Sequence, residues 1–392
     1  MKMETIHIGL DDIDSPRGGC TTHFASILVS HLEENGVEWL DYPSLVRLNP
    51  NIPYRTRGNG AVALRFLIAE KKVGKILPLV TSMVEGYVER GYPNTNPGVV
   101  LLEGNVPKAI LNLAQNALWR TIPIAHARRI AEMSQTKVFT LGNGRGLVGG
   151  LSAIGNLLEK DHTFEYIAYR PFELSSEPRG VDEISVHEMD SAMGGRVFAN
   201  IDTETGRSLI APHGPDPVLY GIRGEKPDDV VRAATFIRTE QEIERWTVFR
   251  SNQGTGAHLS YKVNILDLRP YMAALVEGTI DTSPLIIEGG HIVFGIENDS
   301  VHIDCAAYEP TGEFRTVVNQ LIVGDRVIVH AAVRPRSRTH GLTLNVEGLE
   351  VVRLAEKFSV ENPFCPRCLK RMKSAGKEKG YKCVNCGHID RV

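Results

Sequence analysis

Three aspartates lie close together near the start of the chain, in the segment GLDDIDSPRGGCTT that spans residues 9–22. Asp11, Asp12 and Asp14 repel one another unless a cation or a hydrogen-bond donor offsets their charge. Carboxylate oxygens suit Mg²⁺, which usually reaches a protein through one or two carboxylates together with nucleotide phosphates. The segment therefore predicts a site for a Mg²⁺–nucleotide complex.

The residues that follow the aspartates supply groups that attract an anion. Gly18 and Gly19 offer backbone N–H groups, and Thr21 and Thr22 offer hydroxyls at the start of a predicted helix. The segment is not a Walker A loop, because the Gly-Lys-Ser/Thr ending is absent. A purely structural alternative stays open for either threonine alone, with the aspartates forming a turn and the threonine capping the helix.

An arginine-rich segment, RLNPNIPYRTRGNGAVALR, covers residues 47–65 and contains no Asp or Glu. Its four arginines are Arg47, Arg55, Arg57 and Arg65. Guanidinium groups match phosphate oxygens, and the glycines that flank Asn59 let backbone approach a ligand closely. Contact with phosphate or RNA, with Arg57 and Asn59 as candidates, is one interpretation; a hairpin loop whose arginines face water is the other.

Four further features carry weaker signals. The glycine-rich segment 142–150 precedes a helix and could cradle phosphate, but such turns are common. Arg223 is either an anion ligand or an ordinary charge at a strand end. Cys20 lies near His23, yet a small buried cysteine is the better interpretation, and Cys305 is assigned to packing.

The strongest chemical signal is at the C-terminal end of the chain. Cys365 and Cys368 form one CxxC pair, Cys383 and Cys386 form a second, and 14 residues separate the pairs. Four thiolates at this spacing can surround one tetrahedral ion, which predicts a zinc ribbon. Because sulfur fills all four positions, the zinc is expected to be structural.

The same tail is basic, whereas the chain as a whole has a formal charge of −3. From residue 357 onward there are nine Lys or Arg and three Asp or Glu. The candidates for contact with a nucleic-acid backbone are Arg367, Lys370, Arg371, Lys373 and Lys382. A solvated charged face is the competing interpretation.

Length and composition constrain the elements that must position these residues. The chain has 392 residues, 42% of them hydrophobic, which excludes a disordered chain and a disulfide-stapled miniprotein. It contains no apolar leader and no membrane-length apolar run, and four of its six cysteines are paired for metal, so we expect a cytosolic protein without membrane contact. A chain of this length is expected to form several domains.

The pattern of apolar residues predicts a multidomain α+β protein. Alternation over residues 5–10 indicates a strand that leads into the aspartates, and helical spacing follows from Phe24 to Leu32. Mixed strands and helices continue to about residue 250, with residues 192–216 interpreted as loop. Three strands, a helix and two strands between residues 272 and 353 are the order of an OB-fold barrel.

These motifs together resemble the archaeal isoleucine-tRNA 2-agmatinylcytidine synthetases, the TiaS family. The resemblance rests on GLDDIDSPRGGCTT, RLNPNIPYRTRGNGA, NPG, GRGLVGGLSAIG, YIAYR, PVLYGIRGE, EGGHIVF, AAYEPTGEFR and the terminal CPRC and CVNC, all in one order along the chain. It implies a kinase-like α/β domain at residues 1–122, a ferredoxin-like domain at 123–256, an OB-fold β-barrel at 257–356 and a zinc ribbon at 357–392.

The resemblance also implies a reaction. Family members use ATP to phosphorylate the 2-carbonyl oxygen of the wobble cytidine of isoleucine tRNA with a CAU anticodon, and agmatine then displaces the phosphate. By motif, Thr21 becomes the autophosphorylated threonine, Asp11, Asp12 and Asp14 become the Mg²⁺ and phosphoryl-transfer carboxylates, and Arg223 becomes a phosphate ligand. The expected cofactors are ATP, Mg²⁺ and Zn²⁺, and the expected partners are that tRNA, agmatine and ATP.

Two points remain open from the sequence. Ile13 stands where the family motif has a threonine, which weakens the match unless the side chain points into the core. A rival function is a non-catalytic protein that binds single-stranded nucleic acid, for which an OB-fold and a zinc ribbon suffice.

Overall fold

The computed structural model describes residues 2–15, 19–55, 58–89, 91–92, 94–308, 312–338, 340–358 and 360–391. The helices are α1 Thr21–Glu34, α2 Glu70–Tyr87, α3 Lys108–Ala117, α4 Ile124–Met133, α5 Gly146–Gly155, α6 Glu183–Met193, α7 Pro227–Ala234 and α8 Glu313–Val318. Within these described ranges, no helix combines the length and the apolar character needed to cross a membrane.

The strands fall into three groups along the chain. The first group is β1 Met3–Asp11, β2 Glu38–Trp39, β3 Ser44–Arg47, β4 Gly60–Ala69, β5 Gly98–Glu103, β6 Lys137–Thr140, β7 Thr163–Tyr169, β8 Val197–Phe198, β9 Val218–Gly224 and β10 Arg245–Ser251. The second is β11 Ala273–Ile286, β12 Ile292–Asn298, β13 Val301–Ala307, β14 Arg326–Arg334 and β15 Thr343–Arg353. The third is β16 Lys373–Ser374, β17 Tyr381–Lys382 and β18 Ile389–Asp390.

The first group of strands forms one sheet with the order β6-β5-β1-β4-β3-β10-β7-β9-β8, and β2 pairs with β4. Strand β1 is central to the N-terminal part and runs antiparallel to β4 and β5. The parallel pair of β3 and β10, in register at Ser44 and Arg250, joins that part to residues 163–251. Residues far apart in sequence therefore meet along a single sheet.

The predicted strand and helix around the aspartates are confirmed. Ile6, Ile8 and Leu10 of β1 are fully buried, and Phe24 and Leu28 of α1 pack in the same core. Strand β1 is packed on this face and has a neighbouring strand on each side. The position of its C-terminal end is therefore fixed, and the acidic segment begins at that end.

The glycine-rich segment before α5 serves close packing between backbones. A Cβ atom on Gly9 would lie 2.0 Å from the carbonyl oxygen of Gly150, and one on Gly98 would lie 2.1 Å from the carbonyl carbon of Gly146. A Cβ on Gly149 would lie 2.0 Å from the Asp11 Oδ2 atom. These glycines let α5 lie directly against β1 and β5, and any side chain there would push the helix away.

Some elements differ from the sequence-based expectation. Residues 192–216 are not entirely loop, because Val197 and Phe198 form β8 and pair with β9 at the sheet edge. The helix predicted at about 147–159 ends at Gly155. Arg65 donates hydrogen bonds to the carbonyl oxygens of its last turn. Helices α4 and α6 lie outside the predicted helices, although α6 buries Val186, Met189 and Met193 at helical spacing.

The barrel and the tail confirm the predicted fold class. Strands β11, β12, β13, β15 and β14 close into a five-stranded barrel, and α8 lies between β13 and β14 in sequence. The tail is a three-stranded sheet whose buried centre contains Cys365, Met372 and Cys383.

Candidate active site

Asp12 lies just beyond β1 in a backbone conformation with φ of 56°, which turns its buried side chain toward α5. Its Oδ2 atom accepts hydrogen bonds from Arg145 Nη2 at 3.1 Å and from the Asn96 backbone N–H at 3.2 Å. Burial raises the pKa of Asp12 to about 6, and the neighbouring Asp14 adds to the shift, although Arg145 opposes it. Burial, together with Asp12 and Asp14, also raises the pKa of Asp11 well above its ordinary value.

Asp14 and Thr21 form a pair at the start of α1. The Thr21 hydroxyl and the Thr21 backbone N–H both donate to Asp14 Oδ1, the latter at 3.2 Å. The Thr21 side chain in turn accepts from the backbone N–H of Ile13 at 3.2 Å, and Thr21 is only 2% exposed. A carboxylate that accepts the proton of a fixed hydroxyl is the arrangement that activates an oxygen nucleophile.

Ile13 is fully buried in the same core as the apolar side chains of β1 and α1. The threonine position of the family motif thus points away from the carboxylates in this chain. Its contribution to the site is the backbone N–H that donates to Thr21, which any residue type except proline could supply. The departure from the motif therefore leaves the acidic cluster intact.

Aromatic side chains contact the N-terminus of α1 and fix its position. Cys20 is the N-cap residue, and its backbone N–H donates to the Tyr87 hydroxyl oxygen at 3.1 Å. That oxygen also lies 2.9 Å from His23 Nδ1. Burial lowers the pKa of His23 to about 4, and Arg245 contributes to the lowering, so the ring is neutral at pH 7. Cys20 and Cys305 are both buried, as expected.

Two cavities, each of about 260 Å³, adjoin the Asp14–Thr21 pair. The first, which we call the apolar cavity, is lined by the three aspartates and Arg145 together with Leu48, Asn49, Ile52, Tyr54, Asn59 and Ile122. The second, the polar cavity, is lined by Thr21, Thr22, Arg47, Glu165 and Arg223. Asp14 and Gly60 line both cavities. The Asp14–Thr21 pair is therefore the junction between them.

A buried carboxylate organises the polar cavity. Glu165 lies directly opposite Arg223 in the register of β7 and β9, and its side chain is 4% exposed. Glu165 Oε1 accepts from Arg223 Nε and Oε2 accepts from Arg47 Nη2, each at 3.2 Å. One carboxylate thus fixes two guanidinium groups beside the space in front of Thr21, an arrangement suited to phosphate oxygens.

Arg65 is not part of the site. It is 6% exposed and donates to Ser44 Oγ at 2.6 Å and to the carbonyl oxygens of Ala153, Ile154 and Asn156 at 3.0–3.1 Å. Burial lowers its pKa to about 10. Both interpretations of the arginine segment are wrong for this residue, because its guanidinium group caps the C-terminal end of α5 inside the protein.

The other predicted phosphate-binding residues belong to segments 9–22 and 47–65. Asn59 lines the apolar cavity and donates through Nδ2 to the Asn49 carbonyl oxygen at 2.7 Å. The Gly19 carbonyl accepts from the Ser15 N–H at 3.3 Å, and Thr22 Oγ1 lies 3.1 Å from Cys20 Sγ. Gly18 and Arg57 lie outside the described residues, so their roles stay predictions.

The four cysteines of the tail meet at one point. The ligand atoms of Cys365, Cys368, Cys383 and Cys386 all lie within 4.8 Å of one another, as one tetrahedral ion requires. The five basic candidates of the tail, Arg367, Lys370, Arg371, Lys373 and Lys382, are all exposed. Arg371 also pairs with Glu361 and lies over the Phe364 ring, 4.8 Å from its centre. The predicted zinc site is thus assembled, and its basic residues face outward.

Sequence reasoning missed Arg145, Asn96, Asn49 and Glu165. Arg145 is the N-cap residue of α5 inside the glycine-rich segment, and nothing in the local pattern indicates that its guanidinium group pairs with Asp12. Glu165 interrupts the apolar strand TFEYIAY, and a charge inside an otherwise buried strand is a signal that could have found it.

Comparison with known proteins agrees with this architecture. Three family models match the chain: the TiaS TCKD domain at residues 7–78, the TiaS FLD domain at 144–258 and the TiaS C-terminal zinc ribbon domain at 362–391. Together with the barrel and the cysteine cluster, these matches define a multidomain α/β protein of the type that ends in a zinc ribbon.

The full-length matches are more specific. The isoleucine-tRNA 2-agmatinylcytidine synthetase TiaS of Staphylothermus marinus is 40% identical over 400 residues, covering 100% of this chain and 87% of that protein. The crystal structure of a TiaS complex with isoleucine tRNA and ATP is similar with a TM-score of 0.84 and 34% identity, covering 99% of this chain and 89% of that chain. A second TiaS complex, with isoleucine tRNA, AMPCPP and agmatine, is similar with a TM-score of 0.83 and 32% identity, covering 96% and 89%. The chain belongs to the TiaS family.

Proposed function

We propose that this protein is an ATP-dependent ligase of the cytoplasm that modifies the wobble cytidine of isoleucine tRNA with a CAU anticodon. The observation that carries the proposal is the Asp14–Thr21 pair at the junction of two cavities. Support comes from the relative named as an isoleucine-tRNA 2-agmatinylcytidine synthetase and from the TiaS complexes with isoleucine tRNA, ATP or its analogue, and agmatine.

The reaction has two bond changes at the base. The terminal phosphoryl group of ATP passes to O2 of the cytidine, and the bond from that phosphorus to the rest of the nucleotide breaks with its electron pair leaving on the nucleotide. The primary amine of agmatine then attacks C2, the C2–O2 bond breaks, and O2 departs within inorganic phosphate while the new nitrogen substituent loses a proton. Phosphate leaves far more readily than oxide, so activation must come first.

The acidic segment would hold the metal and the phosphates. Asp11, Asp12 and Asp14 provide carboxylate oxygens, and the repulsion that contributes to the raised pKa of Asp11 and Asp12 is what a divalent cation would relieve. These donors suit Mg²⁺, which would offset charge on the transferring phosphoryl group. Self-phosphorylation of Thr21 is a separate step from the transfer to O2: Asp14 takes the hydroxyl proton, the Thr21 oxygen bonds to the phosphorus of a phosphoryl group of ATP, and the bond from that phosphorus to the rest of the nucleotide breaks.

We assign the nucleobase to the apolar cavity and the phosphate groups to the polar cavity. The apolar cavity has Leu48, Ile52 and Tyr54 in its wall and suits a nucleobase. Asn59 lines the same cavity. In the polar cavity Arg223 would bind phosphate oxygens, with Thr22 in the same wall and Gly19 just before the start of α1. Gly18 and Arg57 complete the phosphate-binding set by their places in the motifs.

The C-terminal modules would hold the RNA. An OB barrel and a zinc ribbon commonly engage single strands and backbone, and the wobble base must leave its stack to reach a buried site. The exposed basic residues of the ribbon are the proposed phosphate contacts. The proposal divides the chain into four domains, with boundaries after residues 122, 256 and 356.

The test is incorporation of labelled agmatine into isoleucine tRNA by zinc-loaded protein, with ATP present and with ATP absent. The proposal expects label only with ATP, and only on a tRNA whose wobble base is cytidine. A tRNA with uridine at that position is the matched control. Tight RNA binding without ATP-dependent label would overturn the proposal and favour the non-catalytic binding protein.

A further inference from the structure

Asn49 occupies an unusual position between modules. It is 1% exposed, yet it lines the apolar cavity together with Asn59. Its backbone N–H donates to the Ala117 carbonyl at the end of α3 at 3.0 Å, and its carbonyl accepts from Asn59 Nδ2 at 2.7 Å. The first bond fixes Asn49 to α3, and the second joins Asn49 to Asn59. We call the described residues of this segment, 48–55 and 58–59, the cavity loop, because most of them line the apolar cavity.

The side chain of Asn49 reaches the other way, toward the barrel. Asn49 Nδ2 donates to the Tyr271 carbonyl at 2.7 Å, and Asn49 Oδ1 accepts from the Asn51 N–H at 3.0 Å. Tyr271 has φ of 68° and its own N–H donates to the Val333 carbonyl of β14 at 2.8 Å. A single buried amide therefore connects the segment that enters the barrel to the loop that walls the apolar cavity.

A second polar contact between the barrel side and α3 does not reach the cavity. The Tyr261 hydroxyl donates to Gln115 Oε1 at 2.9 Å, while the Tyr261 ring stacks on Trp119 with centres 4.9 Å apart. Among the described residues that line the two cavities, neither Tyr261 nor Gln115 is present. The same hydroxyl also lies 3.3 Å from the Gln115 carbonyl oxygen, so its loss removes both contacts to Gln115 between the same modules and leaves the cavity loop untouched.

We propose that Asn49 is a positioning residue which transmits the docking of the barrel to the wall of the apolar cavity. Its amide supplies a donor to the barrel and an acceptor to the loop at the same time. Replacement of the donor would release the loop from the barrel even while both modules stay folded. The inference rests on the proposed function for its kinetic consequence, but the coupling itself is a property of the fold.

The experiment compares Asn49→Asp with Tyr261→Phe in the full-length protein. Asn49→Asp keeps the shape and the acceptor to Asn51 but places an oxygen against the Tyr271 carbonyl. We expect kcat for agmatine incorporation to fall about tenfold to a hundredfold because the cavity loop is misplaced, with KM for tRNA changed by less than about threefold. Tyr261→Phe should stay within about twofold of the wild type in both constants.

Hydrogen exchange provides a second measurement that needs no activity. In the Asn49 variant, the backbone N–H groups of the non-proline residues between 48 and 55 should exchange at least about tenfold faster, while those of β14 stay unchanged, since only the loop is released. If Asn49→Asp does not fold, Asn49→Ser replaces it, because serine is too short to reach Tyr271 and adds no charge. If the wild type incorporates no agmatine, the proposed function fails and exchange alone decides the coupling.

Equal exchange of the loop in the Asn49 variant and the wild type would overturn the inference. So would an equal loss of kcat in Tyr261→Phe, since any weakening of the docked modules would then suffice. A rise in KM for tRNA with kcat unchanged would also contradict it, because that result places Asn49 in RNA capture.

Discussion

The acidic site and the zinc ribbon are both built from repelling anionic groups, but they are assembled in different ways. The ribbon takes its four ligands from residues 365–386, and two short turns bring them within 4.8 Å. The acidic site joins Asp12 to Arg145, 133 residues further along the chain, and the adjoining polar cavity adds Arg223. The ribbon depends on local spacing, whereas the acidic site depends on the topology of a ten-stranded sheet.

The two regions also differ in what stabilises them. The acidic segment extends from a strand whose apolar side chains are fully buried in a large core, so its carboxylates can be held close together without a ligand. Among its described residues, the ribbon buries only Cys365, Met372 and Cys383 in its core, and two of these are cysteines. Structural zinc typically supplies most of the folding free energy of such small modules. Removing one ligand should therefore unfold the ribbon alone.

The largest expected effect follows from Cys383→Ser. We expect bound zinc to fall from one equivalent to near zero, because structural zinc in such modules contributes roughly 10 kcal/mol. The sheet and barrel should keep their melting temperature within about 2 °C, since they have separate cores. Metal analysis and hydrogen exchange over residues 362–391 measure the change. Cys305→Ala, at a buried barrel position, is the control that keeps full zinc.

A smaller effect is expected from Arg65→Met in the sheet. The substitution leaves the Ser44 hydroxyl and three carbonyl groups at the end of α5 without their donor. Unpaired buried groups of this kind should lower the free energy of unfolding by about 3 kcal/mol. Urea denaturation measures it. Arg55→Met, at an exposed position in the same segment, should change the value by less than about 0.5 kcal/mol.

The next effect is a pH dependence at His23. Its pKa is about 4 in the folded protein against an ordinary value of 6.5, so protons bind the unfolded chain more tightly. Stability is therefore lost as the pH falls from about 6.5 towards 4, by at most about 2–3 kcal/mol for this residue, because Glu244 Oε2 lies 3.5 Å from His23 Nε2 and offsets part of the cost of charging the ring. His23→Phe should reduce the difference in unfolding free energy between about pH 7.5 and about pH 4.5 by roughly that amount. An unchanged difference would show that the ring is not neutral and buried; the exposed His31→Gln is the matched control.

The smallest effect is expected from Tyr87→Phe. The change removes the hydroxyl that accepts from the Cys20 N–H behind Thr21, without altering the packed ring. Because the same hydroxyl also contacts His23 Nδ1, its loss should cost about 1–2 kcal/mol and slow incorporation by about threefold to tenfold through a less fixed Thr21. Stopped-time labelling assays measure the rate. Tyr42→Phe, on an exposed ring, should leave it unchanged.

The same contrast explains what the sequence could predict. The zinc site and the barrel were predictable because ligand spacing and strand alternation are local signals. The acidic cluster was found for the same reason, since Asp11, Asp12 and Asp14 are close together in the chain. The fold class followed from the order of these patterns.

The partners of the acidic cluster could not be predicted in this way. Arg145 reaches Asp12 only because glycines let α5 lie against β1, and Glu165 meets Arg223 only through the register of β7 and β9. Arg65 and Arg47 belong to one sequence segment, yet one caps a helix and the other faces the polar cavity. Alternate residues of adjoining strands enter different environments, and composition does not distinguish them.

The most direct test of the junction between the two cavities is the rate of ATP-dependent agmatine incorporation by Asp14→Asn. Asparagine keeps the size of the side chain but cannot take the hydroxyl proton of Thr21 or contribute charge to a metal. The rate should fall by about 10²- to 10⁴-fold, while the affinity for isoleucine tRNA stays within about threefold of the wild type. A rate within about tenfold of the wild type, with the tRNA still bound, would contradict the role assigned to the Asp14–Thr21 pair.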